Sequence, residues 1–414
     1  MSQNPLPSTS SPNPSASDPA QPVNPLNVAA RSVQGQVKIT AIKAMQPRHG
    51  TTLVKVETDA GICGYGACGA TGPLARSAIA GLEGPRLPHL GLIGKDPLAI
   101  QVHYHNMFYA YPQRGRQMRV LSGIDIALWD LAGKLLGQPV SKLLGGNFRT
   151  EIPLYSHCAG GDFLSRDEWR ARAQQLKDDP HGFKAYKIDI HHILGTPMQQ
   201  YTPNLGPQEV DRVRRAYALA REALGDGIDI IVHCHNELDL PSAIQVAQAV
   251  EPIKPLYLED PIAPVYSDAW MALRHATRLP IMTGENIELP EGALPFIQNQ
   301  AIDCLQPDLI NSGGITGTHI IADIAALYRI PVSLHNVSGY VLNMASQQWS
   351  AAVFNCPRME CVRNADQAPE AAGNKPVIRD GRMLISTHPG LGIVLDQEYL
   401  KANLADGEPW WGDE

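Results

Sequence analysis

The sequence predicts an α/β protein in which a small α+β unit precedes a (β/α) barrel. Three observations carry that expectation. Strands and then helices follow one another without alternation from Val37 to about Gly146. After Thr150, short β runs alternate with amphipathic helices. Those β runs end, one after another, on charged or imidazole residues.

The first unit opens with "VKITAIKAM" and "TTLVKVETDAG", two short alternating runs with Asp59–Gly61 as a turn before "ICGYGACGATG". A helical zone follows. In "SGIDIALWDLAGKLLG" the residues Ile124, Ala127, Leu128, Leu131 and Leu135 recur at i, i+3/i+4 and i+7, and Gly137 closes the face. The barrel strands are expected at "IPLYSHC", "AYKIDI", "DIIVHCH", "LYLED", "PIMTGE", "DCLQPD", "PVSLH" and "RMECV", with helical segments between them. The alternative is an open doubly wound sheet, which has no need of reactive residues at so many successive strand ends.

Those ends read Lys187 and Asp189, His233 and His235, Glu259 and Asp260, Glu285, Asp308, His335 and Glu360. Each is costly to bury, and any one alone reads as a satisfied core residue; seven successive strands ending this way point to one shared polar site. In "IVHCHNELD" strand alternation turns His233 and His235 to the same face. Glu259 and Glu285 follow apolar runs on neighbouring strands, where two carboxylates repel unless a cation or a proton lies between them. Hard oxygen donors favour magnesium. Separate salt bridges to lysine or arginine are the alternative, and neither glutamate has a basic neighbour within its own strand. Asp308 and His335 end adjacent strands, which lets the carboxylate orient the imidazole as an acid or base near neutral pH.

Composition narrows the function classes. At 414 residues and 44% hydrophobic, the chain can fill a barrel core and a smaller unit. A net charge of -7 and a pI of about 6.1 give no reason to expect nucleic acid as a partner. No run of eighteen apolar residues occurs, so no membrane span is expected. Seven cysteines without a CxxC pair read as reduced thiols in a cytoplasmic protein. Cys63 and Cys68 could ligate a metal or simply pack near a loop. Residues 1–34 are rich in Pro, Ser and Asn, lack the basic start and apolar centre of a secretory signal, and read as a disordered tail.

The combination "SGIDIALWDLAGKLLGQPVSKLLGG", "GFKAYKID", "LYLEDPI", "TGEN", "QPDLINSGGITG" and "SLHN" resembles the enolase superfamily, in its mandelate racemase/muconate lactonizing branch. The resemblance runs from Val37 to about Leu400. It implies an N-terminal α+β capping domain (35–150), a modified TIM barrel of (β/α)₇β type (151–375), and a C-terminal segment (376–414) that returns to the cap. It also implies a homo-oligomer and magnesium, which stabilises the enediolate formed when a base removes the proton α to a carboxylate.

Residue by residue, the resemblance places Glu259 and Glu285 at metal-ligand positions, Asp308 and His335 at an Asp–His dyad, and Glu360 near the substrate carboxylate. Racemase-like members carry Lys-x-Lys on the second strand; here Lys187-Ile188-Asp189 stands instead, and the second lysine is absent. The pattern is closer to sugar-acid dehydratases of the galactonate and mannonate type, whose third strand ends Asp-x-His. His235 falls on that histidine, as an acid or base across from His335. His233 falls on the aspartate that binds the metal. Either His233 coordinates the ion, with manganese or another divalent ion tolerated, or a carboxylate such as Asp189 substitutes, or the ion is weakly held.

The expected activity is therefore metal-dependent dehydration of an aldonic or aldaric acid to a 2-keto-3-deoxy acid, with a small sugar acid as partner. A racemase, epimerase or cycloisomerase is the alternative within enzymes, and a non-catalytic metabolite-binding protein the alternative outside them. Lys187 and Asp189 are expected to face the substrate. The long stretch 191–207 reads as a lid or substrate wall, with His191 and His192 either touching hydroxyls or exposed. In the cap, "GYGACGATG" and "YAYPQRGRQ" read as loops closing over the site, with Arg114 or Arg116 either gripping the substrate or solvated.

Overall fold

In a computed structural model the described residues are 36–85, 88–110, 115–158 and 160–413. The tail 1–34 and Arg114 lie outside them. Three antiparallel strands, β1 (Ile39–Met45), β2 (Thr52–Thr58) and β3 (Cys63–Cys68), pair in chain order. The turn between β2 and β3 is closed by Gly61 at φ 71, a left-handed position that glycine takes without strain. The helix Arg116–Leu136 packs on this sheet and stops where Gly137 adopts the left-handed conformation. Ile124, Ala127, Leu128, Leu131 and Leu135 are all buried, as their spacing predicts. The alternate glycines of "CGYGAC" have a reason: a Cβ on Gly66 would strike the Gly123 carbonyl, and one on Gly64 the Ala127 carbonyl. Helix and strand touch backbone to backbone.

The barrel follows. Parallel strands β4 (Glu151–His157), β5 (Ala185–Asp189), β6 (Asp229–His233), β7 (Tyr257–Glu259), β8 (Ile281–Thr283) and β9 (Cys304–Leu305) pair in sequence, and β10 (Met359–Glu360) closes back on β4. "PVSLH" is expected as a full strand but is held only by single bridges, Leu305↔Val332, Asp308↔His335 and Leu334↔Met359. Pro307 has no N–H, so β9 cannot extend its ladder and its neighbour pairs piecemeal. The route around the barrel is nonetheless complete, because Ser333 N bonds to Leu305 O and Glu360 N to Leu334 O.

Alternation decides what enters the lumen. Tyr155, Ala185, Ile231, Met282 and Cys304 form a buried apolar layer. Two residues further along their strands stand His157, Lys187 and His233, so the polar layer lies directly above the apolar floor.

Cap and barrel are joined by buried polar contacts. Asp125 of the helix Arg116–Leu136 accepts from Thr316 N at 3.0 Å and Thr316 Oγ1 at 2.6 Å, and Trp129 Nε1 donates to the same hydroxyl at 2.9 Å. The chain's end also meets the cap sheet: Ala405 N donates to Gln46 O, and the Trp411 ring lies 6.0 Å from Tyr65. All seven cysteines are unpaired. Cys63 and Cys68 stand five residues apart on β3, hence on opposite faces, and share no site. Among the described residues no helix is long and apolar enough to cross a membrane.

Candidate active site

All the barrel strands run parallel, so their C-terminal ends open on one side. A cavity of about 600 Å³ there is lined by Asp189, His233, His235, Glu285, Asp308 and His335, among others. Seven of the ten residues singled out at the strand ends thus line it; Glu259, Asp260 and Glu360 do not. From the cap, Gly69 and Arg119 line the same cavity, and from the long loop Met198 and Gln199 do. Arg116 begins the helix Arg116–Leu136.

His335 Nδ1 lies 2.7 Å from Asp308 Oδ2 and donates to it, which leaves Nε2 free toward the cavity, 3.4 Å from Glu285 Oε2 and 3.8 Å from Glu360 Oε2. Burial would make this ring less basic, but Glu285, Glu360 and Asp308 outweigh it and raise the pKa to about 10. His235 is the opposite case. Burial, and then the charge on His233, push it down to about 3, so it is neutral. It stands just past β6 at φ 49, with its ring centroid 3.6 Å from that of His233. The two imidazoles lie side by side as expected, but strand alternation is not the cause: β6 ends at His233, and a left-handed bend sets His235 beside it.

His233 is clamped. Its Nδ1 lies 2.9 Å from Asp189 Oδ1, and its Nε2 has no hydrogen-bond partner although the side chain is buried. Glu259 Oε2, Asp260 Oδ2 and Glu285 Oε2 are likewise buried and unpartnered. One ligand atom from each of these four residues lies within 4.8 Å of the others. His233 Nε2 is 3.5 Å from Glu259 Oε1, 3.6 Å from Glu285 Oε2 and 3.9 Å from Asp260 Oδ2. Donors that share one cation at roughly 2.0–2.5 Å stand about 3–4 Å apart, so the set fits a divalent ion. Asp260 gives an independent sign of the same need: burial, with Glu285 next, pushes its carboxyl up to about 7. A positive charge placed among these acids removes the conflict.

Two placements differ from simple substrate contact. Lys187 has no exposed surface; its Nζ donates to Glu259 Oε1 at 2.8 Å and lies 2.7 Å from Glu360 Oε1. Glu259 therefore has a basic partner, supplied by the second strand rather than its own. Glu360 is also fully buried, beside Lys187 and His157. Asp189 reaches the cavity but spends one oxygen on His233, and His157 and His233 hold its carboxyl well below the usual range against the opposing effect of burial.

Sequence reading missed His157. It ends β4, with Nε2 2.8 Å from Glu360 Oε1 and Nδ1 3.6 Å from Asp189 Oδ2. Burial lowers its basicity, yet Asp189 and Glu360 raise it to about 9. The signal was present in "IPLYSHC": an imidazole at the same parity and the same strand end as the others. Of the two loop histidines, His191 is buried with its ring 5.1 Å from His235, while His192 is exposed and stacks on Phe163. Asparagines brace the rim. Asn286 Nδ2 donates to Asn236 Oδ1 and to Glu285 Oε1, and Asn311 Nδ2 to Glu285 O.

Comparison with known proteins places these features in company. Residues 168–399 match a family described as "Enolase C-terminal domain-like", and residues 18–145 match "Mandelate racemase / muconate lactonizing enzyme, N-terminal domain". The chain is 32% identical over 371 residues to a D-xylonate dehydratase of Haloferax volcanii, covering 87% of each. It is 29% identical to a D-galactonate dehydratase of Variovorax paradoxus, covering 88% of this chain and 94% of that one. Among solved structures, a mandelate racemase/muconate lactonizing enzyme-like protein of Rubrobacter xylanophilus superposes with a TM-score of 0.79 at 30% identity, over 91% of this chain and 99% of that one.

Proposed function

The chain belongs to the mandelate racemase and muconate lactonizing branch of the enolase superfamily, and we propose that it is a divalent-metal-dependent dehydratase of an aldonic acid. The observation that carries this reading is the meeting, at one mouth of the barrel, of four buried residues with clustered metal-ligand atoms and an Asp–His dyad. Relatives named D-xylonate, D-gluconate and D-galactonate dehydratases support the substrate class.

Glu259, Asp260, Glu285 and His233 would hold the ion, magnesium or manganese. Asp189 supports His233 as the ligand, since a carboxylate behind the far ring nitrogen fixes the tautomer and leaves Nε2 as the donor. When bound, the cation supplies positive charge where electron density builds on the substrate carboxylate, and offsets the Glu285 charge that otherwise keeps His335 protonated.

His335 Nε2 takes the proton from C2, with Asp308 fixing the ring and stabilising the imidazolium. The C2–H electron pair moves toward the carboxylate and then returns to form the C2=C3 bond as the C3–O bond breaks. The departing hydroxide takes the proton from His335 and leaves as water. The enol then ketonises to the 2-keto-3-deoxy acid, so the sum is loss of one water. His235, neutral and lining the same cavity, is suited to hold a substrate hydroxyl beside this centre. Seven unpaired thiols support a reducing, cytoplasmic setting. The exposed Phe148 and Phe354, paired at 5.6 Å, support self-association.

The test is to incubate the enzyme and magnesium with D-xylonate, D-gluconate, D-galactonate and a wider set of acid sugars, and to measure 2-keto acid. Exchange of the C2 proton in deuterated water without keto acid from any of them would turn the reading to an epimerase. Absence of cation binding at millimolar magnesium or manganese would turn it to a non-catalytic protein.

A further inference from the structure

We propose a second cation site, of zinc character, formed by His191, His235 and Glu237 beside the magnesium-type site. Each of these side chains is more than nine-tenths buried, and each has a polar atom with no hydrogen-bond partner: His191 Nδ1, His235 Nδ1 and Glu237 Oε2. One ligand atom from each lies within 4.8 Å of the others. Three unpartnered buried polar groups in one place are expensive, because buried polar atoms are ordinarily satisfied.

The chain is bent to bring them together. His235 and Asn236 both take positive φ, 49 and 61, uncommon for residues with a side chain. This tight bend follows β6 directly, and Glu237 comes out of it buried beside the His235 ring. His191 comes from the short helix Ile190–Leu194 that follows β5. The long loop then fastens Glu237 from the other side: Gln199 N donates to Glu237 Oε1 at 2.6 Å and Thr202 N to Glu237 O at 2.7 Å. One carboxylate oxygen is pinned by backbone and the other is left free.

The donor sets distinguish the two sites. His233 with three carboxylates is mainly hard oxygen and carries the greater negative charge, which suits magnesium or manganese. Two imidazoles and one carboxylate suit zinc and its neighbours, with further positions open to water or another ligand. Occupancy would draw on His235, so zinc that enters here competes with the hydroxyl contact given to that ring above; the binding itself does not depend on the reaction assigned to the chain.

The experiment counts zinc per full-length chain by equilibrium dialysis and elemental analysis, in buffer without magnesium. Two ions are expected for the wild type and one for Glu237→Gln or His191→Asn, while the double variant Glu259→Gln/Glu285→Gln keeps one at the second site. A single zinc in the wild type, or an unchanged count in both Glu237→Gln and His191→Asn, overturns the site. Circular dichroism melts accompany each sample; should Glu237→Gln not fold, His191→Asn decides alone. Because the readout is a metal count, loss of the proposed dehydratase activity and loss of this site are seen separately.

Discussion

The ammonium of Lys187 donates to Glu259 Oε1 at 2.8 Å in the barrel lumen, and neither side chain has exposed surface. Burial opposes the charge on Lys187, but Glu259 and Glu360 outweigh it and hold the amine protonated. The lysine neutralises one face of the acid cluster, leaving the other face for a cation. Replacing it by methionine keeps the volume and strands two carboxylates. Lys187→Met is expected to lose about 3–5 kcal/mol, the usual cost of removing one partner from a buried pair. Urea unfolding measures this, and a loss under 1 kcal/mol would show that the pair is not structural.

Asp189 orients the imidazole of His233 from behind. Asp189→Asn is expected to weaken divalent-cation binding about 10- to 100-fold, the range typical for carboxylates that support a ligating histidine. Calorimetric titration with manganese reads the change. Unaltered affinity would mean that His233 needs no support or is no ligand.

The Asp308–His335 dyad carries the proton transfer in the proposed reaction. His335→Asn is expected to lower kcat by about 10²- to 10⁴-fold and to stop exchange of the C2 proton in deuterated water. Asp308→Asn lowers kcat in the same direction while manganese binding persists. A His335→Asn enzyme within a few-fold of wild type removes His335 from the mechanism.

A pH dependence of stability lies away from the active site. His181 sits between Asp179, at 2.8 Å, and Asp366, at 3.1 Å. Burial lowers its pKa, but Asp366 and Asp179 raise it by more, so the folded value exceeds the unfolded 6.5. The folded state holds this proton more tightly. The stabilisation is therefore complete below the unfolded pKa and is lost as pH rises through the folded value. Compared with His181→Gln, the wild type should show its larger advantage in melting temperature at pH 6 and a smaller one at pH 9. Equal advantages at both would contradict the linkage.

The cap has its own sensitive point. Gly66→Ala places a methyl against the Gly123 carbonyl, and the helix Arg116–Leu136 must back away from β3. A loss of about 1–3 kcal/mol is expected, as for other overpacked contacts. Alanine at Gly81, where an added Cβ meets nothing, serves as the control in thermal melts. Similar melting temperatures for the two variants would exclude the close-packing explanation.

The alternation of short β runs with amphipathic helices, and the apolar face ending at Gly137, are properties of local sequence, and they sufficed for the α/β class and the order of elements. A period of two places His157, Lys187 and His233 above an apolar floor in any barrel built from these strands, so the convergence at one mouth was readable too. Sequence could not say which polar groups satisfy one another there. Lys187 reads as a substrate contact until the barrel closes and sets Glu259 and Glu360 against it. His157, at the end of the first strand, gains meaning only when β10 pairs with β4 and brings Glu360 within reach. The free nitrogen of His233 depends on Asp189 occupying the other one, and the bend through His235 and Asn236 on the loop that pins Glu237. The physical reason is common to all of these. Periodicity is set by bonds along the chain, whereas ionic partners, desolvation and vacant lone pairs depend on groups that lie far apart in sequence and meet only in the closed barrel.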